Sequence, residues 1–546
     1  MSKLFSFFLL LVFTLSAAAQ KLSKSDKLSV QNIRSHVSFL ADDKLEGRRT
    51  GTKGEQLASQ YIVQQFEKNG LTPKGDNGGY LQPFEMNEGK EVLSSSLFII
   101  DGEHLKVDKD FFPFSWSVNG KGEAIASPSL HESGGAWFWD IKELLIENEK
   151  SPHFDLMTSI RSKEKDAAQK GATVLIIFNS GKKDAGVKYD GKDRSAASTI
   201  PVIWLQKRMA DKIAKDPSHM MDINFKVEQG EKTRKGINVV GYINNNAAST
   251  IILGAHFDHL GYGEDHNSRS TELPAIHNGA DDNASGTAAL IELSRILKKA
   301  GNKNNNYLFV AFSGEELGLF GSKYYTEHPT VSFTDVNYMI NMDMVGRYND
   351  SSKAITIGGF GTSPSWSTLL YEKKPAFGIK VDSSGTGPSD HTSFYRKDIP
   401  VLFFFTGLHT DYHKPSDDFD KINYEGELMI VKYIERLIDR TSKSPKLAFT
   451  KTREQQTTTS ARFTVSMGIM PDYTFSGGGV KVDGVSDGKA AQKAGLKAGD
   501  IVVKLGDFNV SSVESYMQAL SKFKKGDATK VKVKRGAEEL VFDINF

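Results

Sequence analysis

Cysteine is absent from all 546 residues. Disulfides, thiolate nucleophiles and cysteine-held zinc are therefore excluded. A metal in this protein must be held by His, Asp and Glu, donors that suit hydrolytic zinc, manganese or cobalt. Net charge is nearly absent as well: 69 Lys and Arg against 67 Asp and Glu leave a formal +2. No bulk attraction to nucleic acid or to a membrane surface follows from that balance. Beyond the first twenty residues no apolar run is long enough to cross a bilayer, and no internal repeat is present.

What the chain has is, first, a start that reads as a secretory signal peptide. Lys3 precedes the apolar stretch Leu4–Leu15, and Ala17-Ala18-Ala19 closes it with small residues. A membrane anchor is the competing reading, but the apolar run is too short for a comfortable span. Cleavage after Ala19 is expected, and no cysteine follows to carry a lipid. The mature protein is expected to be exported, periplasmic or extracellular, with no membrane span. The remaining length allows about three to four domains.

Leu28 to Leu71 reads as helical, with Leu57, Tyr61, Ile62 and Phe66 on one face and Gly70 as the stop. The polar loop Glu46–Gly51 interrupts it, and Arg48 and Arg49 are either solvated charges or part of a site. From Leu97 to Val227 short strand-like runs (Ala172–Phe178, Ile200–Leu205) alternate with Gly, Ser and Asp loops, as in an inserted module. Trp116, Trp137 and Trp139 there read as packing residues. From Gly236 apolar strands alternate with helical patterns: Ile237–Ile243, Ile251–Ala255, a helix after Asp282, Tyr307–Phe312, a helix shortly after Glu315, Tyr338–Met342, Val401–Phe405 and a last helix Tyr424–Ile438. This alternation predicts an α/β domain with a mixed, largely parallel sheet sandwiched by helices, its site at the carboxyl ends of the strands. Residues 441–461 read as a linker. A small, strand-rich domain over 462–546 follows, with one helix at Val513–Leu520.

The chemistry collects where strands end. His256-Phe257-Asp258 ends one strand, Glu315-Glu316 another, and Asp343 a third; His413 lies in a loop after a fourth. Asp281-Asp282 sits between glycines at the mouth of a helix, where an N-cap turn is the plain alternative. Residues two apart share a side of a strand, so His256 and Asp258 can touch, as a metal-binding histidine and its orienting carboxylate do. His259, His266, His277 and His409 lie near these motifs and read as solvent-facing or structural.

Gly254–Asp258, Gly279–Gly286, Ser313–Gly318, Asn341–Met344 and Tyr412-His413 resemble, in order and spacing, the M28 family of co-catalytic zinc exopeptidases. The resemblance covers about Val30–Leu97 and Gly236–Ile438. It implies two zinc ions bridged by Asp282, one also bound by His256 and Asp343, the other by Glu316 and His413. It further implies that Asp258 orients His256, that Glu315 is the general base, and that the peptide after Asp282 is cis. Three carboxylates and two imidazoles against two dications leave +1, which one hydroxide neutralises. One departure stands out: where some members place a carbonyl-polarising tyrosine before a Ser-Asp-His run, this chain has Thr386 ahead of Ser389-Asp390-His391. Asp390 and His391 read equally as supports of the metal site or as a helix cap.

Residues 106–230 resemble a protease-associated domain, carried by Gly171–Ile177 and Ile200–Ile203, which implies a lid or access role. The peptidase part is thus expected in two pieces, 20–105 and 231–440. Residues 462–546 resemble a PDZ domain, with Met467-Gly468-Ile469-Met470 as its carboxylate-binding loop and Ala490–Asp500 as the specific stretch. That implies binding of peptide or protein C-terminal tails. The expected activity is removal of N-terminal residues from peptides. The alternatives are a carboxypeptidase or dipeptidase, a one-zinc glutaminyl-cyclase-like acyl transferase, and a non-catalytic peptide-binding protein on a decayed peptidase.

Overall fold

A computed structural model describes residues 22–546 apart from 150, 152–153, 192, 194, 266, 271–273, 373–374, 453–464, 473–474, 476, 486–487, 512 and 525. The expected signal peptide therefore lies outside the described residues.

The molecule is organised by a mixed nine-stranded sheet. Its strands include β1 (Leu81–Val92), β2 (Gln229–Ile243), β3 (Thr250–His256), β4 (Asn306–Phe312), β5 (Val336–Met342), β6 (Ala354–Gly358), β7 (Gly378–Val381) and β8 (Val401–Phe405). The order is β2-β4-β3-β5-β8-β6-β7, with β1 and the short bridge Thr72–Pro73 both on β2. The four central strands β4, β3, β5 and β8 are parallel, and antiparallel pairings lie to either side. The central strands read as continuous apolar runs because both faces are covered. Ile251, Leu253, Tyr307 and Phe309 point to one face, under helices α1 (Lys24–Leu40), α2 (Lys53–Lys68), α3 (Gly286–Lys299) and α6 (Tyr424–Thr441). Ile252, Leu308, Val310 and Phe312 point to the other, under α4 (Phe320–Glu327) and α5 (His391–Tyr395).

β1 and β2 form a long antiparallel ribbon that runs out of this sheet. Between them, residues from Leu97 to Val227 build two four-stranded sheets of their own. Trp116 and Trp137 are buried in a core there, and Trp139 packs against it. The C-terminal residues form a further β-rich unit around Met467, Val482, Val502 and Val533. The stretch after α6, read as linker, lies against the main sheet as far as Thr452: Leu447 N–H donates to Asn337 and Thr450 N–H to Thr362. From the C-terminal unit Asp472 reaches α4, where Lys323 donates to it at 2.7 Å.

Two glycines set the approach of α3 to the sheet. Gly286 opens the helix, and a Cβ there would lie 2.3 Å from the Met342 carbonyl oxygen. Gly279 has φ +55°, and a Cβ there would lie 2.1 Å from the Asp282 carbonyl oxygen. The turn Ala280–Ser285 is thereby pressed onto the ends of β3 and β5. Among the described residues, no helix is long and apolar enough to cross a membrane.

Candidate metal centre

The polar ends of β3, β4 and β5 meet the turn before α3 and the loop after β8 in one cleft. Asp282 stands in the middle. Its Oδ1 is 3.3 Å from His256 Nε2, and its Oδ2 is 3.2 Å from His413 Nε2. Asp343 Oδ1 lies 3.4 Å from His256 Nε2, and Glu316 Oε2 lies 3.2 Å from His413 Nε2. All five residues expected to hold metal therefore converge, although they come from three strand ends, a turn and a loop. The peptide between Asp282 and Asn283 is cis.

Each of these side chains is held by neighbours. Asp417 Oδ2 accepts the N–H groups of both Asp281 and Asp282. Asn283 donates to the Met342 carbonyl and accepts from Gly286 and Met344 N–H, which ties the Asp282 turn to the strand end that carries Asp343. Asn341 donates to Ser389 Oγ, and Ser389 donates to Asp343 Oδ2 at 2.7 Å. Ser389 thus supports the site from the Ser-Asp-His run. Asp390 caps α5 without a side-chain cap bond, and His391 stacks on Phe403 at 4.5 Å. Asp258 lies 3.6 Å from His256 Nδ1 through its carboxylate, while the His256 ring is 3.2 Å from the Asp258 carbonyl oxygen. The Asp258 carboxylate accepts from Thr50 Oγ1 and from the N–H of Glu315, so it positions the Glu315 backbone as well.

His259 departs from its solvent-facing or structural expectation by facing the site. It is buried, and its Nδ1 is 2.6 Å from Glu316 Oε1, while its Nε2 has no partner among the described residues. His259, Asp282 and Glu316 are close enough to hold one ion, as are His256, Asp282 and Asp343. Alternation along β3 gives no hint of His259, because the strand stops at His256 and the chain turns. His277 is buried on Ser268 and the Ala275 carbonyl, and His409 lies 3.1 Å from Asp281. His266 is outside the described residues.

The electrostatics call for added positive charge. Burial alone would pull the two ring pKa values down. Even so, Glu315 and Asp343 hold His256 well above its usual range, and Glu316 and Asp282 lift His413 to about 11. Against burial, the His256 and His413 rings hold Asp282 well below the usual carboxylate range, and His413 and His259 hold Glu316 at about 2. Burial, with Asp343, Glu316 and Asp390 close by, lifts Glu315 well above that range despite His256. Protons on the rings take the place that cations would fill, and metal binding would displace them. The donor set is hard and mixed N/O, so the residues present fit zinc or a similar divalent ion.

Arg48, left open from sequence, is fully buried beneath this cluster. Its guanidinium donates to the carbonyls of Leu40, Phe257, Asn278 and Gly279. One side chain thus fastens the His256–Asp258 segment to the Asp282 turn. Burial lowers its pKa to about 10, opposed by Asp258, Asp282, Asp417 and Glu316, and it stays charged at neutral pH. Arg49 instead pairs with Asp265 at 2.7 Å.

The cleft encloses about 790 Å³, within the range of small-ligand sites. Met344, Phe403, Phe405 and Leu408 give it an apolar wall, and Thr386 lines it at the position of the absent tyrosine. Glu315 reaches the cleft with no hydrogen bond through its carboxyl among the described residues.

Residues 238–438 match the profile of peptidase family M28, and residues 450–546 match the PDZ domain. The chain carries an M28 peptidase domain. All five converging residues lie inside that match. Aminopeptidase YwaD of Bacillus subtilis is 25% identical over 303 residues, which cover 52% of this chain and 61% of that enzyme. A probable leucine aminopeptidase of Arthroderma otae is 26% identical over 302 residues, 53% of this chain and 75% of that protein. The solved structure of a zinc aminopeptidase from Bacillus subtilis is 19% identical, covers 77% of this chain and 95% of its own, and superposes with a TM-score of 0.42.

Replacing Arg48 by Met in this M28 domain strands three buried carbonyls, those of Leu40, Phe257 and Asn278, while the Gly279 carbonyl keeps the Ala284 N–H. At about 1–3 kcal/mol for each unpaired buried group, the loss is about 3 kcal/mol or more. The thermal midpoint is expected to fall by about 5 °C or more, with lower zinc content measured by mass spectrometry. Unchanged melting and unchanged zinc would show that Arg48 does not hold the site together.

Proposed function

We propose that this protein is an exported aminopeptidase that uses two zinc ions to hydrolyse the first peptide bond of peptides with a free N-terminus. The observation that carries this reading is the position of Asp282, whose two oxygens lie within 3.3 Å of one histidine and 3.2 Å of another. A carboxylate so placed suits a bridge between two cations. His256 and Asp343 would complete one site, Glu316 and His413 the other, with His259 bracing Glu316. Two such ions would supply Lewis acidity and charge for the tetrahedral transition state.

The chain's own residues do the rest. Glu315 and Glu316 are adjacent but differently used: Glu316 is engaged by His259 and His413, while the Glu315 carboxyl stands free in the cleft. Glu315 accepts a proton from the attacking water and delivers it to the leaving amine nitrogen. Its raised affinity for a proton suits the first half of that task, taking the proton from water. Asp258 holds the Glu315 backbone N–H and the His256 ring, so base and ligand share one support. Crowding by carboxylates favours a substrate that brings positive charge, as a free amine does, and the apolar wall suits an apolar N-terminal side chain.

The PDZ domain supports a second contact with peptide or protein tails. Tethering near the cleft would raise local substrate concentration. Deleting residues 462–546 should then raise KM for peptides ending in a PDZ-compatible tail and leave KM for short chromogenic substrates alone. Equal KM values for both forms of the protein would remove the tethering role.

Glu315→Gln should retain the zinc content of the wild type and lose turnover by about 10²–10⁴-fold. Glu316→Gln should lose zinc. Equal zinc loss in the two variants would mean that the roles of the two glutamates are misassigned.

A further inference from the structure

Arg269 is the one lysine or arginine among the described residues that line the cleft, whose other charged groups include Glu315, Glu316, Asp343 and Asp382. It is exposed. Its side chain makes no ion pair or hydrogen bond with another described residue; only its backbone N–H is engaged, donating to the His413 carbonyl at 2.9 Å. The guanidinium lies over the Tyr412 ring, with Cζ 4.6 Å from the ring centroid. Tyr412 in turn stacks on His413 at 3.9 Å.

This column is rigidly built. His413 sits at φ +56°, a backbone conformation that needs outside support in a non-glycine residue. The 267–269 segment supplies it, because Asn267 O lies 2.9 Å from His413 Nδ1 while Arg269 N–H holds the His413 carbonyl. A planar guanidinium resting on an aromatic face is already oriented, so little freedom is lost when it takes up a planar anion. A charged donor held in this way, with no acid paired to it among the described residues, is suited to an incoming carboxylate.

Another part of the cleft lining, with Met344, Phe403 and Phe405, is apolar. An N-terminal side chain placed there leaves the following residue to run toward His413, Tyr412 and Arg269. Two stacking steps, of 4.6 and 3.9 Å, lead from the guanidinium through the single ring of Tyr412 to His413, a span of about two residues of extended peptide at about 3.5 Å each.

Resting on the aminopeptidase reading, we infer that Arg269 binds a carboxylate carried by the leaving part of the substrate. It thereby gives the enzyme a preference for peptides whose negative charge lies just beyond the scissile bond. Two sources share this chemistry: the terminal carboxylate of a dipeptide, and the side chain of Asp or Glu in that position.

The test compares Leu-Ala, Leu-Ala amide and Leu-Glu amide as substrates of the zinc-loaded full-length protein. It also measures their calorimetric binding to the Glu315→Gln form, which needs no turnover. The wild type should favour at least one carboxylate-bearing peptide over Leu-Ala amide by about tenfold or more, chiefly in KM. Preference for Leu-Ala identifies the terminal carboxylate, and preference for Leu-Glu amide the side chain. In Arg269→Met the preference should fall to near one, and Arg269→Lys should keep part of it. Equal cleavage of all three by the wild type, with equal binding of all three to the Glu315→Gln form, would overturn the inference without any change at Arg269. A preference that persists in Arg269→Met would overturn the assignment to Arg269. Failure to cleave any of the three would sink the aminopeptidase reading itself, and this inference with it.

Discussion

Four carboxylates, those of Asp282, Glu315, Glu316 and Asp343, crowd around His256 and His413 in one largely water-excluded cleft. Such a cluster cannot stand without added positive charge. Much of the surrounding architecture answers to that one constraint. Both imidazoles are driven toward the protonated form, and Arg48 contributes a buried cation from below. Divalent ions would satisfy the same demand more completely, and on the reading proposed above they would leave the carboxylate of Glu315 for proton transfer.

The sheet explains why the crowding is possible at all. Parallel strands end on the same side, so β3, β4, β5 and β8 deliver His256, the Glu315-Glu316 loop, Asp343 and the loop that bears His413 to one edge. The strands are buried on both faces, and their ends are fixed by a packed core on either side. Onto that edge the Asp282 turn is fastened by short polar bonds: Asn283 to β5, Thr287 to the His256 carbonyl, and Asp417 to two successive N–H groups. The close approach at Gly286 lets these bonds form.

Much of this was legible from the chain alone, for a physical reason. Strands covered on both faces leave unbroken apolar runs, so Tyr307–Phe312 and Val401–Phe405 were readable to within a residue of their observed ends. Of the residues proposed as ligands, His256, Glu316 and Asp343 end or closely follow such runs, and ordered motifs mark Asp282 and His413. Residues that act through the folded backbone left no such mark. Arg48 works on four carbonyls, three of them distant in sequence, and a carbonyl has no residue signature. His259 faces Glu316 only because the chain bends after β3. Asp417 was invisible for the same reason, since its partners are N–H groups. The stretch after α6 is poor in apolar residues, yet it lies along the sheet through hydrogen bonds of its backbone and the side chains of Leu447 and Phe449.

The central claim is that Asp282 bridges two cations. Anomalous diffraction at the zinc absorption edge, from crystals of the zinc-loaded protein, addresses it most directly. Two peaks are predicted, about 3.5–4 Å apart, one beside His256 and Asp343 and the other beside Glu316 and His413, with Asp282 between them. A single peak, or a pair of which either lies out of reach of Asp282, would contradict the account.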